Sequence, residues 1–237
     1  MTGTKVVKLK LEAGGDDSLP LLKDPIAEKI ATLYKDTADR YRTDPSAQYM
    51  MVEPHTRKFN LNSGQIQTIL LALEKTFGED EHFHWRAGII LSALINNSKD
   101  KEFRIKTATP LSCLGYNLKG KKLVVDGDVG NLTGAHMING ELVVNGNAGD
   151  NTGWDMHHGR IRITGNAGAR TGHHMSGDTI IKVEGDAGAE TGHLMHDGVI
   201  DVGGRIESIS RAFLEWPDGK MQMRGEIWNK GEKVWPK

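Results

Sequence analysis

Seven of the ten histidines in this 237-residue chain lie between positions 136 and 196: His136, His157, His158, His173, His174, His193 and His196. Imidazole binds transition metals and moves protons near neutral pH, so a histidine cluster is the first place to look for chemistry. His136, Asp155 and His174 recur every 19 residues, and His173 and His193 stand 20 apart, across the one longer step of the repeat. If the chain makes one turn per interval, residues in such a column lie about 4.8 Å apart. That spacing would present ligands to a metal ion, but no cysteine or further carboxylate completes a tetrahedral set. The expectation is that no metal is bound, with His136, Asp155, His174, His173 and His193 as the residues to inspect. Trp154 occupies the place where the sister segments carry Ala135, His173 and His193. Large exposed aromatics anchor interfaces, so Trp154, His173 and His193 are the interface candidates; the alternative is an indole lying flat over the helical part of the chain. No nucleophile can be assigned. Cys113 has no histidine near it in sequence, and the serines among the histidines lack a paired base. No catalytic and no cofactor-binding residue is therefore expected.

The element that must position these residues is a repeat. From Gly127 to Gly204 the pattern G-x-(A/V)-G-x-x-T-G-x-x-M, a polar turn and an alternating run recur four times. The copies start at Gly127, Gly146, Gly165 and Gly185, and Gly204 is the next glycine in phase. The third step is longer than the others by a single position, which falls in the Ser176–Ile181 turn. Fixed-period self-similarity is the signature of a solenoid. Leu142/Val144, Ile161/Ile163 and Ile200/Val202 stand two apart, as strand residues sharing a face do. A helix is excluded by glycines every three to six residues, each costing about 1 kcal/mol. The fold expected is mainly β: a single-stranded right-handed parallel β-helix of ~19-residue glycine-rich coils. Met137, Met156, Met175 and Met195 form one column, and Thr133, Thr152, Thr171 and Thr191 another. The methionines are expected as core filler rather than as a cofactor box. A phosphate-loop reading of the glycines fails because no helix follows them to receive the anion.

Only six of the 29 glycines precede residue 100, while 20 lie between 115 and 204. The division expected is therefore an N-terminal mainly helical domain with an initial strand (1–107), the β-helix (108–210) and a hairpin-like C-terminal cap (211–237). In the first part, residues 5–11 alternate as a strand and Gly14–Ser18 reads as a loop. Asp24-Pro25 opens a helix carrying Ile26, Ile30, Leu33, Thr37 and Tyr41 on one face. A linker with Pro45 and Pro54 is expected over 43–57. Asn62 or Ser63 caps a second helix with an Ile66, Ile69, Leu70, Leu73, Phe77 stripe ending at Gly78, and a third helix covers about 85–95. Gly120–Asp126 reads as the strand of a degenerate coil. Pro217-Asp218-Gly219 and Asn229-Lys230-Gly231 read as the turns of the cap, with Trp216, Trp228 and Trp235 over the open end.

A formal net charge of −1 and 26% charged residues offer no basic tail for nucleic acid and no polybasic membrane patch. The single cysteine cannot form an internal disulfide, and no apolar run reaches the ~20 residues of a membrane span, so a cytoplasmic location is expected.

The repeated G-x-x-G-x-x-x-G-x-x-M-x-x-G-x-(I/L)-x-(I/V)-x-G of residues 120–204 resembles the GXGXG family. That family includes the C-terminal domain of the glutamate synthase large chain and the β-helical component of formylmethanofuran dehydrogenase. The methionine after each Thr-Gly pair looks closer to the latter. The resemblance implies a non-catalytic scaffold subunit of a multi-subunit oxidoreductase in one-carbon formyl metabolism. Molybdenum or tungsten pterin, Fe-S clusters and flavin would sit in other subunits, and this chain would bind none. It carries over structural residues only: Gly127, Gly146, Gly165, Gly185 and the four methionines. The alternatives are a free-standing glutamate-synthase-type protein of glutamate biosynthesis, and a metal-binding or catalytic protein using the histidine-rich corners. The partners expected are other subunits of such a complex or further copies of the chain.

Overall fold

A computed structural model describes residues 25–37, 44–210 and 225–235. The protein is mainly β: a parallel-stranded β-solenoid of about five turns, with four helices ahead of it. The helices are α1 (Pro25–Asp36), α2 (Pro45–Thr56), α3 (Ser63–Phe77) and α4 (Phe83–Asn97). The strands are β1 (Glu102–Lys106), β2 (Lys119–Asp126), β3 (Asn139–Asn145), β4 (Gly159–Ile163), β5 (Thr179–Val183), β6 (Val199–Val202), β7 (Glu226–Asn229) and β8 (Glu232–Trp235). Each strand pairs with the next in one eight-stranded sheet; all pairings are parallel except β7 with β8. The sheet thus begins at Glu102, and β7 rejoins it after the last repeat. No helix among the described residues is long and apolar enough to cross a membrane.

Register follows the repeat. Leu123, Leu142, Ile161, Ile181, Ile200 and Ile227 stack as one buried column and Val125, Val144, Ile163, Val183 and Val202 as the next. Met137, Met156, Met175 and Met195 are fully buried, as expected for core. The threonine column is buried too, and each hydroxyl donates to the carbonyl three residues back, Thr171 to Gly168 O at 3.0 Å for example. The buried hydroxyl is thus satisfied at every corner. Gly146, Gly165 and Gly185 serve close approach: a Cβ there would fall 2.5–2.7 Å from the carbonyl oxygen of Gly127, Gly146 and Gly165 respectively. Positive φ is needed at Gly134, Gly153, Gly172 and Gly192, held at +68° to +74°. Ten non-glycine residues in the solenoid also adopt positive φ, in two columns, one of them Asn117, His136, Asp155, His174 and Leu194.

The helices pack against the first coil. Ser92 of α4 lies 3.0 Å from Cys113 O and accepts from Gly115 N (2.9 Å) and Tyr116 N (3.2 Å). One continuous cluster of buried residues runs from Ile30 through α4 into the solenoid. The second expected helix is α3, with Asn62 and Gln65 forming the capping box. The third starts slightly early, at Phe83. The expected 43–57 linker is corrected: it is α2. Asp44 caps it, accepting from Ser46 N and Ala47 N, and Pro45 sits in the first turn, where no N–H is required. Pro54 lies inside the last turn, where its missing N–H forgoes one bond, to the carbonyl of Met50. Tyr41, the strand at 5–11, the Gly14–Ser18 loop and the turn at Pro217 lie outside the described residues. The Asn229–Gly231 turn joins β7 to β8.

Candidate docking corner

The corner holding the histidines follows each threonine–glycine pair, where alternating left-handed residues bend the chain before the next strand. Ala135, Trp154 and His173 share a position with His193, and Tyr116 takes it in the degenerate first coil. Ala135 carries no ring. His136, one position on, fills the gap instead, its ring 5.1 Å from Tyr116 and 4.9 Å from Trp154. The result is a run of rings across the coils: Tyr49 of α2, Tyr116, His136, Trp154, His173 and His193, with centroids 4.8–6.4 Å apart. His174 stacks on His173 at 4.6 Å and on His196 at 5.9 Å. Trp154, His173, His174, His193 and His196 are half-buried, so each presents an edge to solvent.

The polar contacts sort these residues. His136 Nδ1 lies 2.9 Å from Asp155 Oδ2, which requires that nitrogen to carry a proton, and His157 Nε2 lies 3.9 Å from the same oxygen. His174, third in that column, turns instead to the neighbouring imidazoles. His173 Nδ1 is 3.3 Å from Asn151 Oδ1, and His193 Nδ1 is 2.8 Å from Ser210 Oγ. Burial holds His136 below the usual histidine range despite Asp155 beside it. Burial, with His174 and His193 adding repulsion, lowers His173 to about 4. Both rings are neutral at pH 7. His136 Nε2 and Trp154 Nε1 are covered and have no hydrogen-bond partner.

The rings of this corner are stacked one on the next across the coils. Among the described residues, no hydroxyl or thiol lies within hydrogen-bond reach of His136 Nε2. Cys113 is fully buried and its thiol is pushed far above the ordinary range by desolvation. Among the described residues, no three His, Cys, Asp or Glu side chains gather to hold a metal ion. The indole of Trp154 is half-buried and stands between the rings of His136 and His173. Sequence reasoning named His136, Asp155, His173, His174 and His193 and missed Tyr49, Tyr116, Asn151 and the part played by His196. Tyr116-Asn117-Leu118 stands one repeat before Ala135-His136-Met137, so Tyr116 was readable by register. Nothing in the sequence ties Tyr49 to it.

Comparisons with protein-family models, with curated proteins and with solved structures find no match.

Proposed function

We propose that this chain is a non-catalytic scaffold that docks protein partners along its ring-lined corner. The observation that carries the proposal is the half-exposed Trp154–His173–His193 run, built on a rigid stack and free of any assembled catalytic set among the described residues. Flat rings in fixed positions present contact area at little entropic cost, the property of interface anchors. The GXGXG resemblance supplies the finer term, right-handed coils of about 19 residues cornered by glycine. It also supplies the setting, a cytoplasmic oxidoreductase complex most like that of formylmethanofuran dehydrogenase, in which this chain takes the place of the β-helical component. Cofactor chemistry then belongs to the other chains.

The test is affinity purification of the tagged chain from its native host, with and without Trp154→Ala. A pterin-bearing protein and an amidohydrolase-like protein recovered with the native chain, and reduced at least about tenfold by the variant, is the expected result. Recovery of the chain alone would sink the scaffold reading; equal recovery with both forms would move the docking surface elsewhere.

A further inference from the structure

The repeat breaks its period once, and a cleft lies at the break. The third step is lengthened by an extra position in Ser176–Gly177–Asp178–Thr179. In register, one column near the start of the strands reads Lys121, Gly140, Gly159, Thr179. Two successive glycines leave a floor without side chains, and the lengthened turn raises Asp178 as a wall beside it. The space measures about 450 Å³ and is bounded by Glu141, His158, Arg160 and Asp178 around Gly140 and Gly159. That is within the range of small-ligand sites. The His158 ring is backed by the turn itself: a Cβ on Gly177 would sit 3.0 Å from His158 Cε1.

The charges around this cleft differ from those on the sheet beside it. On that sheet Arg162, two residues along the same strand, is bound to Glu184 at 2.9 Å and Lys182 to Asp201 at 3.6 Å; within the cleft, Glu141, opposite Arg160 in register, is bound to Lys122 at 3.3 Å. Arg160 and Asp178 are both exposed, and among the described residues neither side chain has an ion-pair or hydrogen-bond partner, the other included. The cleft therefore offers one unused guanidinium and one unused carboxylate across a bare backbone floor. A guanidinium takes a carboxylate in two parallel hydrogen bonds, and a carboxylate takes an ammonium. We infer that this cleft binds a compact zwitterion of the size of a free amino acid, its carboxylate on Arg160 and its ammonium on Asp178. The binding is independent of the docking corner and needs no partner chain.

The experiment is a ¹⁵N NMR titration of the whole chain with L-alanine, propionate and ethylammonium as separate probes. L-alanine should give saturable shifts at the amides of Gly140, Gly159 and Asp178, with propionate and ethylammonium each at least about tenfold weaker. Arg160→Gln and Asp178→Asn, both surface changes, should each remove the response to L-alanine. Arg162→Gln, whose parent residue already has its partner, should leave it intact. Propionate binding as well as L-alanine, shifts that never saturate, or an undiminished response in Arg160→Gln would each overturn the assignment.

Discussion

Replacing Gly88 by alanine sets two effects of similar kind against each other. Gly88 is in the middle of α4, where helix propensity alone predicts a gain of about 1 kcal/mol for alanine. The structure predicts the reverse. A Cβ on Gly88 would fall inside the contact distance of Ser112 O, 3.0 Å from Ser112 C and 3.5 Å from Leu114 N. These are backbone atoms of the first coil and cannot swing aside. Relief requires α4 to lift by more than about 1 Å from a close-packed surface. That movement would stretch Ser112 N to His84 O, now 3.0 Å, and the Ser92 contacts to Cys113 O, Gly115 N and Tyr116 N. Losing about 1 kcal/mol on each of four such bonds, against the gain of about 1 kcal/mol in propensity, leaves a net loss of roughly 3 kcal/mol. Urea unfolding followed by tryptophan fluorescence and far-ultraviolet circular dichroism reads the change. Gly64→Ala in α3 is the matched control: its new Cβ would meet nothing closer than Asn62 Oδ1 at 3.5 Å, so stability should hold or rise. Equal or increased stability in Gly88→Ala would refute the docking of α4 on the first coil as described.

Three further outcomes follow from the same contacts. Met175 is fully buried between Met156 and Met195, so Met175→Ala should lower stability by about 2–5 kcal/mol in denaturant titration, and a loss below about 1 kcal/mol would contradict its place in the core. His173 is lowered from 6.5 to about 4, chiefly by desolvation, so the unfolded chain takes up its proton first as pH falls; stability should decline from about pH 6.5 toward 4, and a urea midpoint with the same slope in His173→Gln would assign the decline elsewhere. Ser63 and Gln67, one helical turn apart on α3, occupy the outer edge of β1, with Gln67 donating to Lys106 O at 3.1 Å and accepting from Lys106 N at 2.6 Å. Gln67→Leu should therefore cost about 0.5–1.5 kcal/mol and speed amide exchange at Lys106, and unchanged exchange there would show the pairing to be idle.

The repeat was legible because its information is local and restated in every coil. One copy already contains the strand alternation of Ile161/Ile163, the corner glycines and the buried threonine, and the next copy merely lies on it at the strand spacing. Parallel stacking, the register and the methionine core all follow from period alone. What escaped the sequence depends on how separate pieces meet. Pro45 and Pro54 look like breakers until Asp44 is seen capping α2 and the prolines are seen to fall in its first and last turns. The ring run depends on His136 reaching into the space beside Ala135 while still bonded to Asp155 of its own column, a choice made by side-chain packing between neighbouring coils. Tyr49 enters that run from far back in the chain because α2 is held there by several contacts: Asn96 of α4 reaches Tyr49 Oη at 2.8 Å and Tyr116 O at 3.2 Å, Asn97 reaches Glu53 O at 3.0 Å, and Ser46 Oγ lies 2.7 Å from Tyr116 Oη. Periodicity determined which residues share a face; tertiary packing decided which of them touch, because contact between columns depends on the volumes of several side chains at once.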